Sequence, residues 1–302
     1  MNDILAWGLE AIRFVQKFSN PPLTLVMRGF TALGTAYFYL LALPFVYWCV
    51  DKRRGMRLGL LFFFSVFVNG WLKHATMEPR PYTFDPSLAM AKESSYAFPS
   101  GHAQASATFW GSASPLFGAP WGTVLALGLP LLIGVSRVYL GVHFPTDVAA
   151  GWAIGAAAVF VERRFGDRLE RLIGAQRDQL RLAAVAAVAL AMNALDMRDT
   201  TVSGLFFGFG AGLVLARRAA PYSTAGSFGQ KVLRLIVGSA GTVVLYFGPK
   251  LLTATIEPSD AALVVFVRLA IVGFWVALGA PWLFIRLALA EDESAVAAAP
   301  GN

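Results

Sequence analysis

Eight residues between Lys73 and Asp147 offer chemistry that the packing of apolar segments does not require. They fall in three patterns: Lys73, six residues, then Arg80-Pro81; Pro99-Ser100-Gly101-His102; and Ser136-Arg137, five residues, then His143, three residues, then Asp147. Three cations, two imidazoles and a carboxylate, placed at the ends of apolar runs, are suited to handling a phosphate. The guanidinium groups of Arg80 and Arg137 can grip phosphate oxygens bidentately, and Lys73 adds a point charge. Pro99-Ser100-Gly101 reads as a helix start with Ser100 at the N-cap, so backbone N–H groups and the hydroxyl can hold an anion. Gly101 presents no side chain to block its approach. Asp147, four residues after His143 and across Pro145, can reach back to one ring nitrogen and fix the tautomer.

Each residue alone has a plainer reading. Lys73 or Arg137 at a span end is an ordinary snorkelling anchor, Ser100 a simple cap, His102 a packing residue, and Asp147 a favourable charge at a helix start. The conjunction argues against these, since two of only three histidines complete a pattern. His74 fits no position and reads as interfacial. Arg268, several residues inside the last apolar run, reads as snorkelling toward Asp260 or Glu257.

The elements that must position these groups are membrane spans. With 302 residues, 57% hydrophobic and 14% charged, and a mean hydropathy of +0.59, the chain is too apolar for an ordinary soluble protein. Its net charge of +7 lies mainly in short connections, which argues topology signals and no nucleic-acid partner. The single cysteine, Cys49, excludes an intramolecular disulfide and a cysteine metal cluster. Residues 1–20 show a helical period with Asp3, Glu10, Arg13 and Lys17 opposite Ile4, Trp7, Ile12 and Phe14, and no cleavage site. They predict an amphipathic helix on the membrane surface and no cleaved leader.

Asn20-Pro21-Pro22 breaks that helix, and spans are predicted at about 33–50, 58–72, from 100 on, 123–138 and 146–161. The loop 78–98 is too long for a turn. Residues 162–181, with six arginines among four acids, read as a solvated connector. Four further apolar runs follow, at about 182–195, 201–216, 232–256 and 261–290, the first short for ~30 Å of hydrocarbon. In the second, Gly204, Gly208 and Gly212 recur every four residues, the spacing of close helix packing. The expected architecture is all-α and polytopic: an interfacial helix (1–20), a membrane core (21–165), a C-terminal transmembrane region (166–290) and a disordered tail (291–302).

The ordered patterns resemble the tripartite signature of the type 2 phosphatidic acid phosphatase superfamily, its integral membrane branch. The resemblance covers about 20–163, roughly half of the chain. It implies a metal-independent lipid phosphate phosphatase without cofactor, with His143 as nucleophile, His102 as general acid and Asp147 orienting His143. Lys73, Arg80, Ser100, Gly101 and Arg137 would bind the phosphate. The substrate would be a phosphomonoester or diphosphate lipid in the bilayer. A phosphotransferase using the same phosphohistidine, or a lipid transporter or scaffold on the same fold, are the alternatives.

Orientation is argued separately. Lysines and arginines concentrate around 52–57, 163–181 and 217–234, whereas the connections at 196–199 and 257–260 are acid-rich. The positive-inside rule makes the first group cytoplasmic. Span counting then places all three patterns on the outer face. Low cysteine and an Ala/Arg-rich style suggest a bacterial inner membrane.

Overall fold

The computed structural model describes residues 3–252 and 261–293, with 249–252 by backbone alone. The acid-rich connection at 257–260, the acids named above for Arg268, and the tail from 294 lie outside the described residues. Apart from one bridge between Tyr222 and Asp292, all regular structure among the described residues is helical. In chain order it comprises α1 (Asp3–Gln16), α2 (Pro21–Ala32), α3 (Ala36–Phe45, continued by a wide turn Val46–Val50), α4 (Lys52–Thr76) and the short α5 (Pro81–Phe84). Then come α6 (Gly101–Ala113), α7 (Trp121–Tyr139), α8 (Pro145–Gly174), α9 (Asp178–Leu195), α10 (Thr201–Ala219), α11 (Phe228–Leu252), α12 (Ala262–Phe274) and α13 (Ala280–Arg286).

Six helical stretches are long and apolar enough to cross a membrane, or seven with the bent pair α2–α3. Four of the six are the C-terminal runs anticipated above. The spans expected from residue 100 and at 146–161 do not meet that test. The first, α6, has only 13 residues and buries Gln104, Ser106 and Thr108. Thirteen residues rise only about 20 Å, short of ~30 Å of hydrocarbon, so the helix is too short to cross on its own.

The chain folds as two compact units, one of residues 1–39 with 65–166 and one of 40–64 with 167–302. In the first unit, Asn20 caps α2 by accepting from Leu23 N at 2.9 Å, and Pro21 and Pro22 occupy a first turn where a missing N–H is harmless. Helix α1 has two apolar faces. Ile4, Trp7 and Phe14 are exposed, as is Phe18 just beyond the helix. Leu9 and Ile12 instead pack on Leu88 and Phe144, so part of the face read as lipid-directed holds protein. Gly151 and Gly155 bring α8 close to α6, where an added Cβ would lie 2.6 Å from Ser100 O and 2.7 Å from Gln104 O respectively.

In the second unit, Gly204, Gly208 and Gly212 all face α12 and the turn after it; a Cβ on Gly208 would overlap the Ala270 carbonyl. The small-residue spacing therefore serves packing. Arg234, fully buried, donates to the carbonyls of Leu289 (2.8 Å), Trp48 (3.1 Å), Thr224 (3.1 Å) and Ala225 (2.5 Å). Arg268 lies over the Tyr246 ring at 5.4 Å. The segment 162–181 is less a free connector than the end of α8, where Asp167 and Glu170 pair with Arg53 and Arg57.

Candidate active site

The site is assembled by how helices end. Helix α7 stops in a Schellman turn: Val142 N donates to Arg137 O (3.2 Å) and Gly141 N to Val138 O (3.0 Å). Gly141 adopts φ +70°, a conformation open to glycine at no steric cost. Pro145 then opens α8 two residues after His143, so the histidine is trapped between two fixed helix ends. Gln16 of α1 ties down the same corner, its Nε2 donating to Tyr139 O (2.9 Å) and Leu88 O (3.0 Å).

His143 is 1% exposed. Its Nδ1 lies 3.3 Å from Asp147 Oδ2, which also accepts from Phe144 N at 2.9 Å. A carboxylate so placed selects the Nδ1–H tautomer and leaves Nε2 an acceptor, the role it plays toward Arg80. That Nε2 faces Arg80 Nη1 at 3.3 Å. Burial, followed by the charges of Arg80, Arg137 and Lys73, holds the imidazole well below its usual range, so the ring is neutral.

Arg80 stands at the start of α5, and its side chain makes no cap bond. It donates to Ser95 O (2.6 Å), Ser95 Oγ (3.1 Å), Tyr96 O (3.1 Å) and Val142 O (2.8 Å). Lys73, in the last turn of α4, donates to Tyr96 O and Ala97 O. Arg137 donates to Thr31 Oγ1 at 2.6 Å and pairs with the Glu93 carboxylate. His102, on the first turn of α6, stands within electrostatic reach of Arg137, Arg80 and Lys73. The structure thus brings all eight sequence-predicted residues into one region.

Two buried polar atoms of this group have no hydrogen-bond partner, Ser100 Oγ and Arg137 Nε. Ser100 does stand at the N-cap, but its hydroxyl makes no cap bond. A buried donor without a partner is costly, and a phosphate oxygen would satisfy both atoms. Among the described residues, no group of three or more His, Cys, Asp or Glu side chains is placed to hold a metal ion.

Several contributing residues went unnoticed in the sequence. Asn69 Nδ2 donates to Gln104 Oε1 (2.9 Å) and Pro99 O (3.3 Å), and Gln104 Nε2 donates to Ser65 O (2.6 Å) and Ser65 Oγ (3.0 Å). This network sets the Pro99–Gly101 turn against α4. Ser65, Asn69 and Lys73 recur every four residues in an otherwise apolar span, a periodic polar stripe that could have revealed it. Glu93 and Thr31, by contrast, carry no local signal.

Residues 54–171 match the PAP2 superfamily, and residues 200–292 match the PAP2 superfamily phosphatase transmembrane extension. The chain is similar to phosphatidylglycerophosphatase B of Bacillus subtilis, 30% identical over 165 residues that cover 50% of this chain and 79% of that protein. The chain belongs to the PAP2 superfamily. It is also similar to an undecaprenyl-diphosphatase of Sulfolobus acidocaldarius, 34% identical over 113 residues. There the match spans 36% of this chain and about half (54%) of the relative. A crystal structure of a transmembrane PAP2-type phosphatidylglycerolphosphate phosphatase from Bacillus subtilis superposes with a TM-score of 0.50 at 26% identity, covering 57% of this chain and 90% of that one. The two matches divide the chain into a PAP2 core and a C-terminal PAP2 transmembrane extension.

Proposed function

We propose that this PAP2 protein is a metal-independent lipid phosphate phosphatase that works through a phosphohistidine at the outer membrane interface. The observation that carries this reading is a buried histidine, oriented by Asp147, whose second nitrogen meets Arg80, with the charges of Arg137 and Lys73 close enough to act on the ring. In the first step the Nε2 lone pair of His143 attacks phosphorus and the bond to the leaving oxygen breaks. Burial and then the three cations push the pKa of His102 down to about 3; the negative charge of the phosphate offsets those cations, and His102 then gives that oxygen its proton while Asp147 stabilises the imidazolium that forms. In the second step His102 takes a proton from water, whose oxygen attacks the phosphohistidine and releases inorganic phosphate with a neutral His143.

Lys73, Arg80 and Arg137, with the Ser100 hydroxyl and the N–H groups at the α6 start, neutralise the equatorial oxygens. The names of the relatives support a lipid carrying a terminal phosphate, either a glycerophospholipid or an isoprenyl diphosphate. The test is phosphate release by purified protein in detergent with EDTA, over a panel of lipid phosphates, for wild type and His143→Ala. Release that survives EDTA and falls at least ~1,000-fold in the variant is expected. Release abolished by EDTA would remove the metal-free mechanism, and a product phosphorylated on an added alcohol would make the protein a phosphotransferase.

A further inference from the structure

Helix α12 carries a charge where a bilayer offers little water. Arg268 follows Ala262 by six residues, about 9 Å along the helix axis, inside the stretch Ala262–Arg286 that is long and apolar enough to span a membrane. The residue is 7% exposed, and Nε and Nη1 of its guanidinium are buried without a hydrogen-bond partner. The group lies over the Tyr246 ring of α11 at 5.4 Å. Arg234 of the same unit, also buried, shows the contrast, since its donors reach four backbone carbonyls.

Burying a cation whose donors go unmatched is costly, and an ionisable side chain within a span marks a ligand or ion site. A ring face attracts a guanidinium less strongly than a charged oxygen does, so the Tyr246 contact leaves the donors open to an anion. The surroundings select the kind of anion. Val264, Val267 and Ile271 of α12 and Val243 and Phe247 of α11 are exposed, an apolar rim on both helices that carry the pair. A free, hydrated anion gains nothing from such a rim, whereas a phosphate attached to acyl chains does. Basic sites between transmembrane helices hold lipid head groups in this way, and a snorkelling arginine can turn toward the helix start to meet one.

We propose that Arg268 and Tyr246 form a binding site for the phosphate of a resident anionic phospholipid, seated on α11 and α12 and not turned over. The site belongs to the matched transmembrane extension, residues 200–292, and to the unit that holds none of the eight candidate catalytic residues. It therefore stands apart from the phosphatase reading and gives the extension a task of its own, the retention of a lipid.

The test titrates dioctanoyl phosphatidylglycerol into the full, delipidated chain in neutral detergent, for wild type, Arg268→Met and Arg268→Lys. Native mass spectrometry counts the bound lipid, and the melting midpoint is read with and without it. Arg268→Met should lose one bound phosphatidylglycerol, that step weakening at least about tenfold, the worth of one charge-assisted hydrogen bond; Arg268→Lys should keep part of it. Without lipid, the midpoint of Arg268→Met should equal or exceed that of wild type, because an apolar side chain replaces a cation that no protein group satisfies. Equal retention of lipid by wild type and Arg268→Met would overturn the proposal. So would a lipid-free Arg268→Met that melts lower or fails to fold, with Glu257→Gln/Asp260→Asn doing the same, since the partner would then be the chain's own acid. Inorganic phosphate that displaces the Arg268-dependent lipid at equal concentration would make the ligand a free anion and overturn the lipid assignment.

Discussion

At the scale of single residues, the neutral state of His143 makes a claim about pH. An imidazole in water takes its proton near pH ~6.5, but burial and three neighbouring cations hold His143 well below that. The nucleophile is therefore not lost as pH falls through 6.5. The acid limb of kcat/KM should lie at about pH 6 or lower, where the phosphate ester itself takes up its second proton. A limb at 6.5 or above, carried by His143, would show that the ring titrates as in solution. Glu93 makes a second claim, because its carboxylate pairs with Arg137 and competes there with any phosphate. Glu93→Gln should tighten inhibition by inorganic phosphate by about tenfold, the size of one charged hydrogen bond. An unchanged inhibition constant would mean that phosphate and Glu93 occupy different faces of Arg137. Lys73, Arg80, His102, Arg137, His143 and Asp147 could be picked out as candidates because their types contradict an apolar setting, and Ser100 and Gly101 because Pro99 marks a helix start. Glu93 was not, for an acid in a polar loop contradicts nothing.

At the scale of elements, the accuracy of the site depends on turns more than on helices. Gly141 adopts φ +70°, and a Cβ there would run into the Leu88 carbonyl. Gly141→Ala should cost about 1–3 kcal/mol of stability from the backbone conformation alone. It should also move His143, and a displacement of about 1 Å is enough to lower kcat some hundredfold. Measuring kcat well below the unfolding midpoint separates the two effects; a variant equal to wild type in both would sink this account of the turn. The sequence marked the Asn20-Pro21-Pro22 break and the Pro99 helix start by their breaker residues, but read residues 78–98 simply as a loop. Apart from the side chains of Arg80, Glu93 and Ser95, the loop's part in the site comes from backbone carbonyls of Ser95, Tyr96 and Ala97. Every residue type supplies such carbonyls, so no composition reveals them.

At the scale of the whole molecule, orientation is the property that charge makes testable. Within the second unit, Lys52 meets Glu293 and the Tyr222 carbonyl, Arg53 and Arg57 meet Asp167 and Glu170, and Arg218 meets Asp178. These contacts gather the basic connections at one end of that unit, the pattern that the positive-inside rule assigns to the cytoplasm. Helix α10 then carries the chain from the acid-rich connection at Asp196 and Asp199 to Arg217 and Arg218. The single cysteine, Cys49, is buried, so a Cys49→Ala background admits one reporter thiol at a time. Asp199→Cys should react with a membrane-impermeant maleimide in intact cells. Arg217→Cys, one crossing away and equally exposed, should react only after the membrane is opened. The reverse pattern would turn the protein over, placing Lys73, one crossing from the 52–57 cluster, and the phosphate chemistry with it, on the cytoplasmic face. Labelling of both positions in intact cells would show that α10 does not cross the membrane.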